Sequence, residues 1–358
     1  MSNHHIVVKS KIKESFKTKQ ISGMFDVPEK KEIITEWDVV FPVKDKSWNI
    51  GLITGPSGSG KTTIAKNVFQ DCYYHKKFEW DENASIIDGF GNIETKTIVE
   101  ILSSVGLSSP PHWLKPFSHL SNGQQFRCEL AKTILLDEKI VVFDEFTSVV
   151  DRDVAKICCA ALSKTLRRRQ RPQLVAVSCH YDIIDWLQPD WVFDVSANRF
   201  EWRSLQRFPK IILKLYETNN SAWKIFRGHH YLTAEISKQA KYFVAMYNNR
   251  PVAFTSYIHM MHAQVLNGKR EHRTVVLPDF QGVGIGNRIS ESLGKYIKTN
   301  KGRFFSTTSH PAMINHRKKS PLWRTIRFGH TPPPSKQERA KGIKRSNKRI
   351  TAGFEYVG

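Results

Sequence analysis

Four short stretches of this chain hold residue types suited to handling phosphate. In Gly55-Pro-Ser-Gly-Ser-Gly60-Lys61-Thr62-Thr63, three glycines precede a lysine and two threonines. Glycine amides can converge there on an anion, Lys61 neutralises it, and the Thr62 hydroxyl can ligate Mg2+; Ser57, Gly58 and Thr63 complete the cradle. Asp144-Glu145 closes the apolar run Ile-Val-Val-Phe. Its first carboxylate can hold magnesium through water, and its second can polarise a water for in-line displacement. Between these lies Leu120-Ser-Asn-Gly-Gln-Gln125, a Ser-x-Gly turn opening an amphipathic helix whose amino end can bind another phosphate. The fourth stretch, Gln281-Gly-Val-Gly-Ile-Gly-Asn287, has three glycines in five residues but neither the lysine nor the hydroxyl of the first loop. Two cradles of different chemistry imply two ligands.

The elements that must position these residues are legible around them. "NIGLIT" is a strand running into the first loop and "IAKNVF" a helix leaving it, the order a phosphate-binding loop requires. After Trp202 the pattern restarts with the strand "KIILKLYE", the helix "SAWKIFRGHHY" and a hairpin turning at Asn248-Asn249-Arg250. The strand "REHRTVVL" then leads into the second glycine loop, followed by the helix "NRISESLGKYIKTN" and the strand "RFFSTTS". This predicts an antiparallel sheet with the loop at its middle strand.

The 358 residues suffice for two domains, and the net charge of +22 is divided unevenly between them. Residues 1–204 carry 27 Lys+Arg against 26 Asp+Glu, and residues 205–358 carry 28 against 7. A basic second half predicts a polyanionic partner, with nucleic acid, DNA or RNA, as the leading candidate; a solvated basic surface is the alternative. No apolar run is long enough to span a bilayer, and the first thirty residues lack the apolar core of a secretory signal, so a soluble, cytoplasmic protein is expected. Five cysteines with no C-x-x-C pair fit neither a disulfide framework nor a structural zinc site.

With those residues in place, residues 23–203 resemble the ABC-type ATPases. "LSNGQQ" is similar to their LSGGQ signature, Ser148 to Asp151 to their D-loop, and "AVSCHYDIIDWLQPDWVFDV" to the strand carrying their switch histidine, here His180. The resemblance implies a head-to-tail homodimer enclosing two ATP molecules. It also implies that Glu145 is the catalytic carboxylate, that His180 contacts the γ-phosphate, and that Ser121, Gly123 and Asp151 meet the partner's ATP. Two departures stand out: only about sixty residues separate Thr62 from Leu120, and the Q-loop position, at the end of an expected strand Ser85 to Ile87, is Asp88. Coupling to a membrane transporter is therefore not expected. Phe25 or Trp37 is the candidate for stacking on adenine.

Residues 204–332 resemble the GNAT acetyltransferases in the Gln-x-x-Gly-x-Gly pattern of Gln281, Gly284 and Gly286. The resemblance implies that this loop, with Gly282, Val283 and Asn287, binds the pyrophosphate of acetyl-CoA. The tyrosine that often protonates the leaving thiolate in that family is not evident. His310, Glu271 and Asp279 are candidate acids or bases, with helix capping or core packing as the alternative for His310. His259, His262 and His272 are a weak metal set. Arg317, Lys318, Lys319, Trp323 and Arg324 form a candidate nucleic-acid surface, or a solvated helix end.

The expected architecture is thus α/β: an N-terminal extension (1–22), a P-loop ABC-type ATPase domain (23–203), an α+β GNAT-like domain (204–332) and a basic C-terminal tail (333–358). The expected function is ATP hydrolysis coupled to acetyl-CoA-dependent modification of nucleic acid. The alternative is a repair or structural ATPase whose GNAT-like domain only grips nucleic acid.

Overall fold

The computed structural model describes residues 2–25, 32–206, 210–230, 235–330 and 350–358. The chain is α/β and forms two compact units. One comprises Met1–Lys77, Thr133–Ser148 and Ser163–Phe208, and the other Phe78–Lys132, Val149–Leu162 and Pro209–Gly358. The segments around the signature thus pack with the second half of the chain, across the expected boundary at 203.

In the first unit, β1 (Ser2–Lys11) and β2 (Glu32–Phe41) form an antiparallel pair flanking α1 (Phe16–Phe25). The expected extension at 1–22 is therefore corrected. Ile6 of β1 packs with Val39 and Phe41 of β2 in the core built on Ile53, Trp191 and Phe193, because burying this apolar surface outweighs the entropy of ordering the terminus. The main sheet comprises β3 (Ile50–Thr54), β4 (Tyr73–Tyr74), β5 (Ile140–Phe143), β6 (Gln173–Ser178), β7 (Trp191–Asp194) and β8 (Arg199–Trp202), in the order β4-β5-β6-β3-β7-β8. All neighbours are parallel except β7 and β8. Every residue of β3 is buried, the continuous apolar run of a parallel strand covered on both faces.

Helix α2 (Lys61–Val68) follows the first glycine loop. Three further helices, α3 (Thr95–Ser104), α4 (Pro110–Trp113) and α5 (Asn122–Ile134), lie between β4 and β5, and α6 (Arg152–Arg169) and α7 (Ile183–Leu187) flank β6. The expected strand at Ser85 to Ile87 is absent. The Ile86 amide bonds the Lys115 carbonyl at 3.0 Å, and Asp88 opens a single tight turn, its carboxylate accepting from the Ser85 hydroxyl at 2.6 Å. With its amides tied to a loop, the segment has no strand partner.

The second sheet contains β9 (Lys214–Thr218), β10 (Lys241–Tyr247), β11 (Arg250–His259), β12 (Gly268–Val276), β13 (Arg303–Thr308), β14 (Trp323–His330) and β15 (Ile350–Tyr356). Its order is β14-β15-β13-β12-β11-β10-β9, so the glycine loop leaves the middle strand. Asn248 and Asn249, at φ 47° and 60°, make the two-residue turn expected between β10 and β11. The helix expected before β10 is reduced to α8 (Trp223–Phe226) and flanking 3-10 turns.

Helix α9 (Ile285–Thr299) crosses between β12 and β13 and makes that pair parallel, while Ile285, Ile289, Leu293 and Ile297 recur every fourth residue on its buried face. The two strands pair only over Gly268–Arg270 and Arg303–Phe305, then part. Helix α10 (Pro311–Lys319) follows. The expected tail at 333–358 is corrected at its end: Ile350–Tyr356 inserts between β13 and β14, burying Ala352, Phe354 and Tyr356. That apolar alternation drives the segment into the sheet, whereas the basic stretch 331–349 lies outside the described residues.

Candidate functional site

Gly58 and Gly60 adopt φ 77° and 91°, the left-handed backbone that lets the first loop turn tightly ahead of α2. Lys61 donates to the Pro56 carbonyl across the loop at 2.5 Å, and Thr62 lies exposed in the first turn of α2. The Ser59 hydroxyl is buried without a partner, and a side chain at Gly58 would meet nothing within 4 Å. Open space and an orphaned hydroxyl fit a phosphate chain. Trp37 packs directly on the loop, since a Cβ at Gly60 would come within 2.4 Å of its ring; Phe25 is 67% exposed at the end of α1.

Because β3, β5 and β6 are parallel neighbours, the loop after Thr54, Asp144-Glu145 after Phe143, and His180 after Ser178 share one edge of the sheet. Glu145 is exposed and held at φ 51°, with Thr147 at 67°. This costly backbone is pinned by the Phe146 amide donating to the Val177 carbonyl at 2.9 Å and the Ser178 hydroxyl donating to the Phe146 carbonyl at 2.9 Å. Ser178 also accepts from the His180 amide at 3.2 Å, so one hydroxyl fixes both the carboxylate turn and the histidine turn.

Ser121 and Gln124 form a reciprocal capping box at the start of α5: the Ser121 amide donates to Gln124 Oε1 at 3.1 Å and the Gln124 amide to the Ser121 hydroxyl at 3.4 Å. Asp151 caps α6, accepting from the Val154 amide at 2.9 Å. Ser121, Gly123 and Asp151 therefore stand at helix amino ends, with Ser121 and Asp151 exposed.

The second glycine loop divides into two parts. Gly284, exposed at φ 89° with open space where a side chain would project, is the N-cap of α9, and the amides of Gly284 to Asn287 have no acceptor within the helix. Asn287 Oδ1 is buried without a partner. Gly284, Ile285, Gly286 and Asn287 thus fit a pyrophosphate. The Gln281 side chain and the Cα of Gly282 are turned to other partners. Gln281 Oε1 accepts from the Ser108 amide at 2.7 Å and its Nε2 donates to the Val276 carbonyl at 2.8 Å. A Cβ on Gly282 would come within 2.7 Å of the Gly106 Cα, so this glycine permits two backbones to touch. Arg127, Ser108 and Gly106 escaped the sequence reading; the one available signal was an arginine within the apolar face of "FRCELA".

The candidates for acid–base work are committed elsewhere. His310 sits at the N-cap of α10 with Nε2 donating to the Ser108 carbonyl at 3.0 Å. Glu271 is buried among the hydroxyls of Thr274 and Ser306 and the guanidinium of Arg317, 3.2 Å away. Asp279 lies 3.8 Å from Arg127. His259 faces Lys269, His262 accepts from the Gln264 amide, and His272 from the Ser237 amide. The candidate nucleic-acid surface is corrected at Arg317 and Trp323, which are buried, whereas Lys318, Lys319 and Arg324 are exposed. Arg317 is fully buried with its guanidinium 4.3 Å over the Trp323 ring, itself 6% exposed, while Arg324 pairs with Glu355 and Lys318 covers Phe328. A nine-residue basic helix reads as solvated from sequence, but α10 turns this one cation inward where Glu271 awaits it.

Burial lowers His112, His230 and His272 to about 4, assisted by Lys115 and His229 for the first, by Arg273 and His272 for the second, and by Arg273 and Arg270 for the third. The folded chain binds fewer protons than the unfolded one below pH 6.5, so this contribution to stability is complete above that pH and lost as pH falls towards 4. Denaturation midpoints measured across that window are expected to fall steadily with acidification; a flat profile would contradict the assignment.

No family model and no curated protein matches the sequence. Among solved structures, a dimeric ATP-binding cassette in a post-hydrolysis state with ADP and phosphate is 16% identical, covering 50% of this chain and 95% of its own, with a TM-score of 0.38. A Bacillus subtilis acetyltransferase in complex with CoA is 12% identical over 42% of this chain and 99% of its own, at a TM-score of 0.30. An IAA acetyltransferase from Bacillus cereus is 10% identical over 40% and 99%, also at 0.30. The structural neighbours thus include ATP-binding cassettes and GNAT acetyltransferases, each over part of the chain. No helix among the described residues is long and apolar enough to cross a membrane.

Proposed function

We propose that this chain is a cytoplasmic ATP hydrolase working as a head-to-tail homodimer, whose second half uses acetyl-CoA to acylate nucleic acid. The observation that carries the ATPase reading is the shared sheet edge of the Gly55–Thr63 loop, Asp144-Glu145 and His180. Lys61, the loop amides and Thr62 would hold the phosphates, and Thr62 with Asp144 would hold magnesium, which supplies charge neutralisation to phosphoryl transfer. Glu145 would accept a proton from water, and His180 would hydrogen-bond the group transferred. Ser121, Gly123 and Asp151, at helix amino ends, would approach the nucleotide of the partner.

In the second half, the α9 amides from Gly284 to Asn287 would hold acetyl-CoA, which supplies an activated acyl group. The excess of 28 basic over 7 acidic residues in 205–358 supports a polyanionic acceptor. A second reading, in which this half only grips nucleic acid, is favoured by the commitment of Gln281 and Gly282 to Ser108 and Gly106.

Mass spectrometry of nucleosides from cells expressing the chain separates the two readings. A new acylated nucleoside that disappears in a Gly284→Ala, Gly286→Ala double variant supports transfer. Its absence, together with nucleic-acid-stimulated ATP hydrolysis that weakens steeply with salt, supports the gripping role; ATP hydrolysis indifferent to nucleic acid counts against both.

A further inference from the structure

The turn before the second glycine loop is held by the helix that begins at the signature. Arg127, one turn into α5, is completely buried. Its Nη1 donates to the Pro278 carbonyl at 2.6 Å, its Nη2 to the Asp279 carbonyl at 2.7 Å and its Nε to the Cys158 sulfur of α6 at 3.1 Å. At the head of the same helix, a Cβ on Gly123 would stand 3.4 Å from Asp279 Oδ1. Helix α6 is seated on the same region: Ile157 packs with Tyr247 and Phe280, and Asp153 lies 3.8 Å from Arg250.

The segment before α4 completes the attachment. Ser108 donates its amide to Gln281, which follows β12, and its carbonyl accepts from His310, which follows β13. It therefore bridges the ends of the two strands beyond the point where they part.

We propose that α5, α6 and the Gly106–Ser108 segment couple the two ligand loops: nucleotide-driven movement of these helices resets the Pro278–Gly286 turn and so its affinity for acyl-CoA, making acyl-CoA an effector of the ATPase. The proposal rests on the reading of Ser121 and Asp151 as residues facing a partner's ATP, and of α9 as an acyl-CoA site. Movement of α5 cannot be absorbed at Arg127. Separating its guanidinium from both carbonyls would leave a buried charge unpaired, so the turn must follow the helix. The Gly106–Gly282 contact transmits compression in the same way, because no side chain intervenes to repack. By linkage, ATP and acyl-CoA must change each other's affinity by the same factor, typically about 5- to 150-fold.

The test uses the full chain carrying Glu145→Gln, to keep ATP bound without turnover. Acetyl-CoA affinity, measured by calorimetry with and without Mg-ATP, is expected to differ about tenfold, and ATP affinity with and without acetyl-CoA by the same factor. Adding Gln281→Met, close in size but unable to bond Ser108, is expected to bring that factor towards one; Arg127→Lys, which keeps the charge but cannot span both carbonyls, should do likewise if it folds. Equal acetyl-CoA affinity in both nucleotide states overturns the proposal.

Amide exchange across 278–286, with and without Mg-ATP and with no CoA present, reads the coupling independently of that ligand. Unchanged exchange overturns the proposal. Changed exchange without any acetyl-CoA binding supports the coupling and removes acyl-CoA as the loop's ligand.

Discussion

Glu145→Gln is expected to slow ATP turnover by about 10²- to 10⁴-fold while leaving ATP binding intact, because the amide keeps the size of the carboxylate but cannot accept a proton from water. The geometry makes this substitution informative. Glu145 is exposed, and its backbone is held at φ 51° by bonds to β6 that the substitution leaves in place. Fold and P-loop should therefore be unaffected. Under Mg-ATP the variant should run as a dimer on size exclusion, and it should revert to the nucleotide-free state when ATP is removed. Wild-type turnover by the variant would dismiss Glu145 as the base, and a failure to dimerise in ATP would dismiss the sandwich.

Arg317→Ala is expected to destabilise the second unit by about 3–5 kcal/mol, the cost of stripping one partner from a buried ion pair. Burial alone would raise the Glu271 pKa, but Arg317 and the hydroxyls of Ser306, Thr274 and Ser290 outweigh it and hold the carboxyl below its usual range. With the folded value depressed, the pair's contribution is present above the ordinary carboxylate range and vanishes as pH falls through the lowered value. Alanine also removes the guanidinium from the Trp323 ring. The double replacement Glu271→Leu, Arg317→Met leaves no buried charge and is expected to recover most of the lost stability. Denaturant titrations of the three chains decide the matter: if Arg317→Ala is as stable as wild type, the buried pair is not the organising contact of the space between β12 and β13.

The parts of this protein that were readable from sequence are local. The first loop, its strand and its helix are contiguous, and the glycines that permit left-handed backbone at Gly58 and Gly60 stand where the loop needs them. The turn at Asn248-Asn249 and the buried face of α9 were legible for the same reason, since turn chemistry and four-residue spacing are written within one element. Misread segments obeyed the same local rules but had distant partners. Residues 85–87 look like a strand until the Ile86 amide is seen to bond Lys115, and Ile350–Tyr356 looks like the end of a basic tail until β13 and β14 flank it.

By itself, then, the sequence determined that the chain carries a loop of phosphate-binding pattern, an acidic strand end, and a second glycine loop of different chemistry. Only the tertiary structure decided what packs against the members of those motifs. Ser108 and Gln281 are 173 residues apart and Arg127 and Pro278 151, yet these contacts tie down the turn and the Gln281 side chain, while Gly284 stays exposed with open space beside it. Local spacing sets backbone conformation, but whether a glycine admits an anion or another backbone, and whether an arginine meets water or a carboxylate, depends on what long-range packing brings against it and on the desolvation that packing imposes.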